Sequence, residues 1–198
     1  MDAENFFGKT PILACRRIKG SVTTKFSSKR GINWMSDPTI STGRPKAFET
    51  IVFGGLAIGI LDFFDASTFF PLYYGIAFTQ VWQGVSVGLL GRAAAAGGWN
   101  TALLGIFLHF VVAFGIATVY YFASRNIPFL IRHAVVSGLI YGVIANFVMQ
   151  YVVIPLSAIG NRPGSEPLGS LLNSVIGHAV LVGLPVALIA RWSAGRRN

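Results

Sequence analysis

The sequence is poor in cysteine and in charged residues, and both shortages limit what the protein can be. Cys15 is its single cysteine, which excludes an internal disulfide and any zinc or redox site built from several thiolates. Charged residues make up 12% of the 198 positions, about half the share of an average soluble domain, while hydrophobic residues make up 53%. A soluble domain needs more surface charge, so the composition favours a membrane protein.

Motifs for nucleotide binding and for metal-dependent hydrolysis are also absent. The chain has no G-x-x-x-x-G-K-[ST], no G-x-G-x-x-G and no H-E-x-x-H. The run 91–98, GRAAAAGG, lacks the lysine and the hydroxyl residue of a phosphate-binding loop. We therefore predict that the protein is not an enzyme and that it has no cofactor, no metal and no catalytic residue.

What the chain does contain is four long apolar stretches. They cover 50–70, 99–122, 134–154 and 168–190, and each reaches the roughly 20 residues needed to cross about 30 Å of hydrocarbon. The last three contain no Asp, Glu, Lys or Arg. A fifth candidate, 72–91, is interrupted by two glutamines and several glycines. The stretches predict either four or five membrane spans.

Loop charge decides between these two topologies, because Lys and Arg near helix ends collect on the cytoplasmic side. Four spans and a cytoplasmic N-terminus put most of the basic loop residues inside, and five spans put the basic C-terminus outside. The inner set is Arg44, Lys46, Arg125, Arg132, Arg191, Arg196 and Arg197, and the outer set is Arg92 and Arg162. The sequence therefore predicts an all-α polytopic bundle with four spans and both termini cytoplasmic. Residues 74–90 are predicted to form a short amphipathic helix, interfacial or re-entrant, on the outer face.

The segment 1–47 differs from the rest, with nine Lys or Arg against three acidic residues. We interpret it as a disordered cytoplasmic tail, followed by a membrane domain over 48–192 and a short tail over 193–198. Met35 is a plausible true start, since the 34 residues before it look unrelated to the lead into the first span. The positive charge lies in the tail and inner loops, as the topology requires, so it does not indicate nucleic-acid binding. The expected partner is the lipid bilayer.

Each apolar stretch carries polar side chains that a lipid-facing helix would not choose, and such groups mark functional or helix-binding surfaces. In three of the stretches they continue stripes of small residues, which let helices approach, so they should face other helices. A rise of about 1.5 Å per residue puts the polar groups in one layer in the outer half of the bundle. The candidate residues of this polar layer are Asp62, Asp65, His109, Asn146, Gln150, Asn173 and His178.

Three uses of this layer are open. It can hold the helices together through hydrogen bonds, or it can handle protons or ions, with Asp62 or Asp65 exchanging a proton with His109 or His178. Two histidines and a carboxylate can also form a metal site, although no H-x-x-x-H spacing supports one. An aspartyl protease dyad is disfavoured because Asp62 and Asp65 share one helix. The favoured hypothesis is handling of protons or a small polar solute. The alternative is a structural subunit that packs through Gly-rich faces against another membrane protein or a second copy.

The chain also resembles small bacterial four-helix inner-membrane proteins in three runs: LLGIFLHFVVAFGIATVYYFASRNIPFL, GLIYGVIANFVMQYVVIPLSA and GHAVLVGLPVALIARW. More distantly, it is similar to the YagU-like inner-membrane family. The resemblance covers about 48–192 and rests on a Gly-rich first helix, His109, the pair Pro155 and Leu156, and the pair Gly177 and His178. It implies residence in a bacterial inner membrane and supplies no catalytic residues.

Overall fold

The structure is a computed structural model that describes residues 44–160 and 167–196. Predictions for residues 1–43, including the tail and a start at Met35, lie outside the described residues. In the described part of the chain, all regular structure is helical. The helices are α1 (Glu49–Tyr74), α2 (Phe78–Leu90), α3 (Gly98–Asn126), α4 (Pro128–Arg132), α5 (Ala134–Leu156) and α6 (Leu168–Gly195), with a 3₁₀ segment at Gly91–Ala96.

The predicted all-α bundle with four helices long and apolar enough to cross a membrane is confirmed. These helices are α1, α3, α5 and α6, with 26, 29, 23 and 28 residues. Each covers its predicted stretch and continues beyond it by up to five residues, and α6 runs to Gly195, past the expected domain limit at 192. Helix α2 has 13 residues, about 20 Å, and is too short to cross.

The shortness of α2 follows from glycines that stop the helices around it. Gly75 ends α1 in the left-handed conformation, with φ 65°, and Gly91 follows α2 with φ 69°. A side chain is strained at such angles, whereas glycine adopts them freely and ends helices there. The chain therefore turns twice between α1 and α3, and α2 packs back against α3.

The packing of α2 differs from that of a helix lying in the membrane interface. Such a helix would leave its polar side in water, but Gln83 and Ser86 are buried. Gln83 Nε2 donates to Gly98 O at 3.0 Å, and Ser86 Oγ donates to Thr101 O at 2.5 Å. Leu89, on the apolar side, is 60% exposed. The polar side of α2 is thus used mainly to attach the helix to α3.

One half of the bundle, here called the closed half, contains the start of α1, the end of α3, α4, the start of α5 and the end of α6. Small apolar residues and two tyrosines fill its interior. Tyr120 OH donates to Leu130 O at 3.2 Å, and Tyr141 OH donates to Ile116 O at 2.7 Å. The buried core cluster is Ile58, Ala113, Ala117, Tyr120, Ile131, Ala134, Val182, Val186, Ala187, Ala190 and Ala194.

Both described ends of the chain meet in the closed half. Ser193 Oγ lies 2.9 Å from Thr50 Oγ1 and accepts from Lys46 N at 3.3 Å. Arg196 Nη1 lies 3.5 Å from Glu49 Oε1. These five residues form what we call the clasp. Because the clasp joins the start of α1 to the end of α6, the two described ends lie at the same end of the bundle.

Candidate functional site

The other half of the bundle, here called the cavity half, contains a half-open cavity of about 590 Å³. Residues from α1, α2, α3, α5, α6 and the segment after α5 line it. Six of the seven predicted polar-layer residues are among them: Asp62, Asp65, His109, Gln150, Asn173 and His178. The helices therefore bring these side chains to one space, although they are far apart in sequence.

Asp62 and His109 form the closest pair of ionisable groups in the cavity half. His109 Nδ1 lies 3.9 Å from Asp62 Oδ2, too far for a hydrogen bond but close enough for an ion pair. Trp82 stands edge-on to the imidazole at 5.2 Å and stacks on Phe63 at 4.7 Å. These contacts hold the histidine in place, while Asp62 accepts no hydrogen bond from any residue in the described ranges.

The hydrogen bonds of the two histidines determine which ring nitrogen carries hydrogen. His109 Nε2 lies 3.0 Å from Gly59 O, and His178 Nδ1 lies 2.9 Å from Ser174 O. A carbonyl oxygen only accepts, so these nitrogens donate. In the neutral form of each ring, the second nitrogen is then a proton acceptor. For His109 that acceptor is the atom nearest Asp62.

Asp65 is oriented by α6. Asn173 Nδ2 donates to Asp65 Oδ2 at 3.0 Å, across 108 positions of sequence. The same oxygen lies against the backbone of Gly177, where an added Cβ would come within 3.5 Å of it. Asp65 is therefore held on the α6 side of the cavity, whereas Asp62 is held on the α3 side beside His109.

Asn146 is the predicted polar-layer residue that does not line the cavity. It is 1% exposed, and its Oδ1 accepts a hydrogen bond from Ser174 Oγ. Ser174 itself lines the cavity, and its carbonyl oxygen accepts a hydrogen bond from His178 Nδ1. Asn146 thus ties α5 to α6 behind the cavity wall, and its contacts are those of a structural residue.

Two widened, π-helical turns adjoin the cavity. One covers Met149–Val153 and includes Gln150, and the other covers His178–Gly183. Each comes just before a proline, Pro155 or Pro185, which cannot donate the backbone hydrogen bond that continues an α-helix. Such turns occur often at functional sites, and here each one presents a polar side chain to the cavity.

The glycine stripes face other helices of the same chain, as predicted. A Cβ on Gly55 or Gly59 would meet Phe114 or Phe110 of α3, and one on Gly142 would meet the backbone of His178 and Ala179. Gly105 similarly faces the backbone of Trp82. These faces are already occupied within the chain, which removes the main reason for expecting them to bind another protein.

The donor geometry does not favour the metal alternative. Within 44–160 and 167–196, no three His, Cys, Asp or Glu side chains come close enough to hold a metal ion together. The cavity places Asp62 with His109 and Asp65 with Asn173, in two separate pairs.

One motif with catalytic associations does occur, since Gly84, Ser86 and Gly88 fit the spacing G-x-S-x-G. In hydrolases this spacing places the serine on a sharp turn between a strand and a helix. Here it lies inside α2, and the buried Ser86 hydroxyl bonds to backbone carbonyls of Trp82, Gln83 and Thr101. The local structure is not that of an activated nucleophile.

The contribution of α2 to the cavity is what sequence reasoning missed. Gln80 lines the cavity, as does Gly88, whose carbonyl accepts from Ala158 N at 2.9 Å. That bond fastens the segment after α5 across α2. Trp82 is 1% exposed, and its Nε1 has no hydrogen-bond partner in the described part of the chain. The sequence signal for this contribution was a tryptophan on a short helix, together with two glycines that lie four residues apart.

Comparison with known proteins finds no relative of this chain. The chain matches no known protein-family model, no curated protein and no solved structure.

Proposed function

We propose that the protein is a small membrane protein that takes protons or a small polar solute into the cavity half. The observation that carries the proposal is the cavity of about 590 Å³, into which six of the predicted polar side chains project from four of the long helices. A purely structural polar layer would be expected to close its groups against one another. In the described chain, the Asp62 carboxylate instead borders the cavity without a hydrogen bond.

Asp62 and His109 form the proposed proton-exchanging pair. The free Nδ1 of His109 and the carboxylate oxygen of Asp62, 3.9 Å apart, can share one proton in two ways. Either Asp62 is protonated beside a neutral imidazole, or an ionised Asp62 lies beside an imidazolium. A water molecule or a solute group that is hydrogen-bonded to both atoms would let the proton pass from one to the other. The pair is therefore the proposed site of proton exchange.

The proposed setting is a bacterial inner membrane with both termini cytoplasmic and the cavity half toward the outer side. Support comes from the basic residues in the closed half, among them Arg125, Arg132, Arg191 and Arg196, because basic loops stay on the cytoplasmic side.

Proton flux into proteoliposomes tests the proposal. Wild-type protein in vesicles with an internal pH-sensitive dye should collapse an imposed pH gradient faster than protein-free vesicles. Asp62→Asn should reduce this rate to the protein-free value, because an amide cannot take up the proton. Thr118→Val is the matched control, since the Thr118 hydroxyl bonds within α3 to Phe114 O and lies outside the cavity lining. Wild-type flux equal to that of empty vesicles, or equal flux in Asp62→Asn, would contradict the proposal.

A further inference from the structure

We infer that the cavity binds an amphiphilic organic monocation: an amine or quaternary ammonium group carried on a hydrocarbon or aromatic body. This inference rests on the proposed function, because it names the solute for the same cavity. It follows from three properties of the lining, which are its charge, its apolar share and its free carboxylate.

The lining has acidic groups and no permanently positive group. Its ionisable members are Asp62, Asp65, His109 and His178, and none of its residues is Lys or Arg. An anion in this space would meet two carboxylates and no permanent positive charge. A cation would gain a carboxylate partner in a partly enclosed space, where opposite charges attract each other more strongly than in bulk water.

The rest of the lining is apolar. Helix α2 contributes Val81, Val85 and Leu89, and the end of α5 contributes Val153 and Ile154. A small hydrated ion would make no favourable contact with these apolar walls. A hard metal cation needs about six oxygen ligands, which the lining does not group together. A molecule with an apolar body covers them, and about 590 Å³ lies within the usual range for small-molecule sites.

The two carboxylates are not equivalent, and the difference selects Asp62 as the cation partner. Asp65 already accepts a hydrogen bond from Asn173 at 3.0 Å. Asp62 accepts none from the described residues, and its neighbour His109 lies 3.9 Å away, too far to donate one. A bound cation and a proton on Asp62 exclude each other, so solute binding and proton release are linked at one atom.

Equilibrium binding with a set of equal-shaped probes tests the inference. Radiolabelled phenyltrimethylammonium is added to the full-length protein in lipid nanodiscs, with protein-free nanodiscs as the partition control. Saturable binding is expected, and unlabelled tert-butylbenzene and benzenesulfonate should compete at least tenfold more weakly than the cation. Asp62→Asn should weaken binding at least tenfold. Glu49→Gln, at the opposite end of the bundle, should leave it unchanged.

The outcomes separate this inference from the proposed function. If tert-butylbenzene or benzenesulfonate competes as well as phenyltrimethylammonium, or if no saturable binding occurs, the monocation inference is overturned, even where Asp62-dependent proton flux persists. If the cation binds selectively and through Asp62 but no proton flux is found, the inference stands and the proton-handling function fails. The comparison of three probes uses only wild-type protein, so it decides the matter even if Asp62→Asn does not fold.

Discussion

The two halves of the bundle are built from the same four long helices, yet they treat polar groups in opposite ways. In the closed half, the hydroxyls of Tyr120, Tyr141 and Thr50 all have hydrogen-bond partners, and among its described residues one buried side-chain oxygen, Glu49 Oε2, has none. In the cavity half, Asp62 Oδ2 lies 3.9 Å from His109 Nδ1 and the carboxylate accepts no hydrogen bond from the described residues, and the buried Trp82 Nε1 has no partner there either.

The difference indicates where stability and function reside. An unsatisfied polar group costs free energy in hydrocarbon, so a fold keeps one only where something else uses it. The closed half has few such groups and fixes the helices relative to one another. We expect the closed half to supply most of the stability, so that the cavity half can keep its carboxylates accessible. Four substitutions test this division, in order of decreasing expected effect.

The largest effect is expected from Gly142→Ala, which should lower the unfolding free energy by about 3 kcal/mol. The added methyl would run into the backbone of His178 and Ala179, which cannot move aside without separating α5 from α6. Thermal unfolding in detergent measures the change. Gly115→Ala is the matched control, because no atom lies within 4 Å of its added methyl. Equal melting temperatures for the two variants would mean that tight contact between α5 and α6 does not hold the bundle.

Tyr141→Phe should cost about 1 kcal/mol of unfolding free energy, since it removes the 2.7 Å hydrogen bond to Ile116 O, which then keeps only its helical partner within α3. Tyr151→Phe serves as the comparison, because Tyr151 is 72% exposed. Chemical denaturation of both variants beside wild type gives the two values. A loss in Tyr151→Phe as large as that in Tyr141→Phe would remove the claim that satisfied hydroxyls stabilise the closed half.

A smaller change, about 0.5 kcal/mol or less, is expected from Arg196→Gln. Its ion pair with Glu49 is 3.5 Å long, and Arg196 is 54% exposed, so water and salt weaken the attraction. The guanidinium also lies over the Trp192 ring at 4.6 Å, which adds a little attraction. The melting difference from wild type should shrink in high salt. A salt-independent loss above about 1 kcal/mol would show that the clasp is stronger than its exposure implies.

The smallest effect on stability is expected from Asp62→Asn, whose unfolding free energy should stay within about 0.5 kcal/mol of wild type. The substitution breaks no hydrogen bond in the described chain, because the 3.9 Å separation between Asp62 and His109 is too long for one. Asn146→Leu, which loses the bond from Ser174, should be the less stable of the two. If Asp62→Asn unfolds as easily as Asn146→Leu, Asp62 is a structural residue and the division between the halves fails.

Much of this fold follows from the sequence, because length and composition alone specify a membrane span. The polar layer could also be predicted, since Asp62 and His109 interrupt apolar stretches in which a lipid-facing helix would carry no such side chain. The stripes of small residues on α1, α3 and α5 correctly predicted which faces meet other helices. The proton-handling use of Asp62 and His109 stays a prediction.

The existence of a cavity could not be predicted, for a physical reason. Gly142 and Gly84 look alike in sequence, but Gly142 is pressed against α6 while Gly84 borders open space. Which of these happens depends on how far apart the helices are held by residues distant in sequence, such as Trp82. A periodic pattern of small residues shows which face of a helix meets another helix. It does not show how far apart the two helices lie.

The clasp has a mechanical consequence. If the protein were stretched between residues 46 and 193, the pull would act first on the hydrogen bonds at Ser193, where the two described ends meet. The helices would then be withdrawn one after another, starting from this end, and the cavity would carry no load until α1 or α6 had begun to leave the membrane. In single-molecule pulling, a ligand in the cavity should therefore leave the first rupture force unchanged and raise a later one.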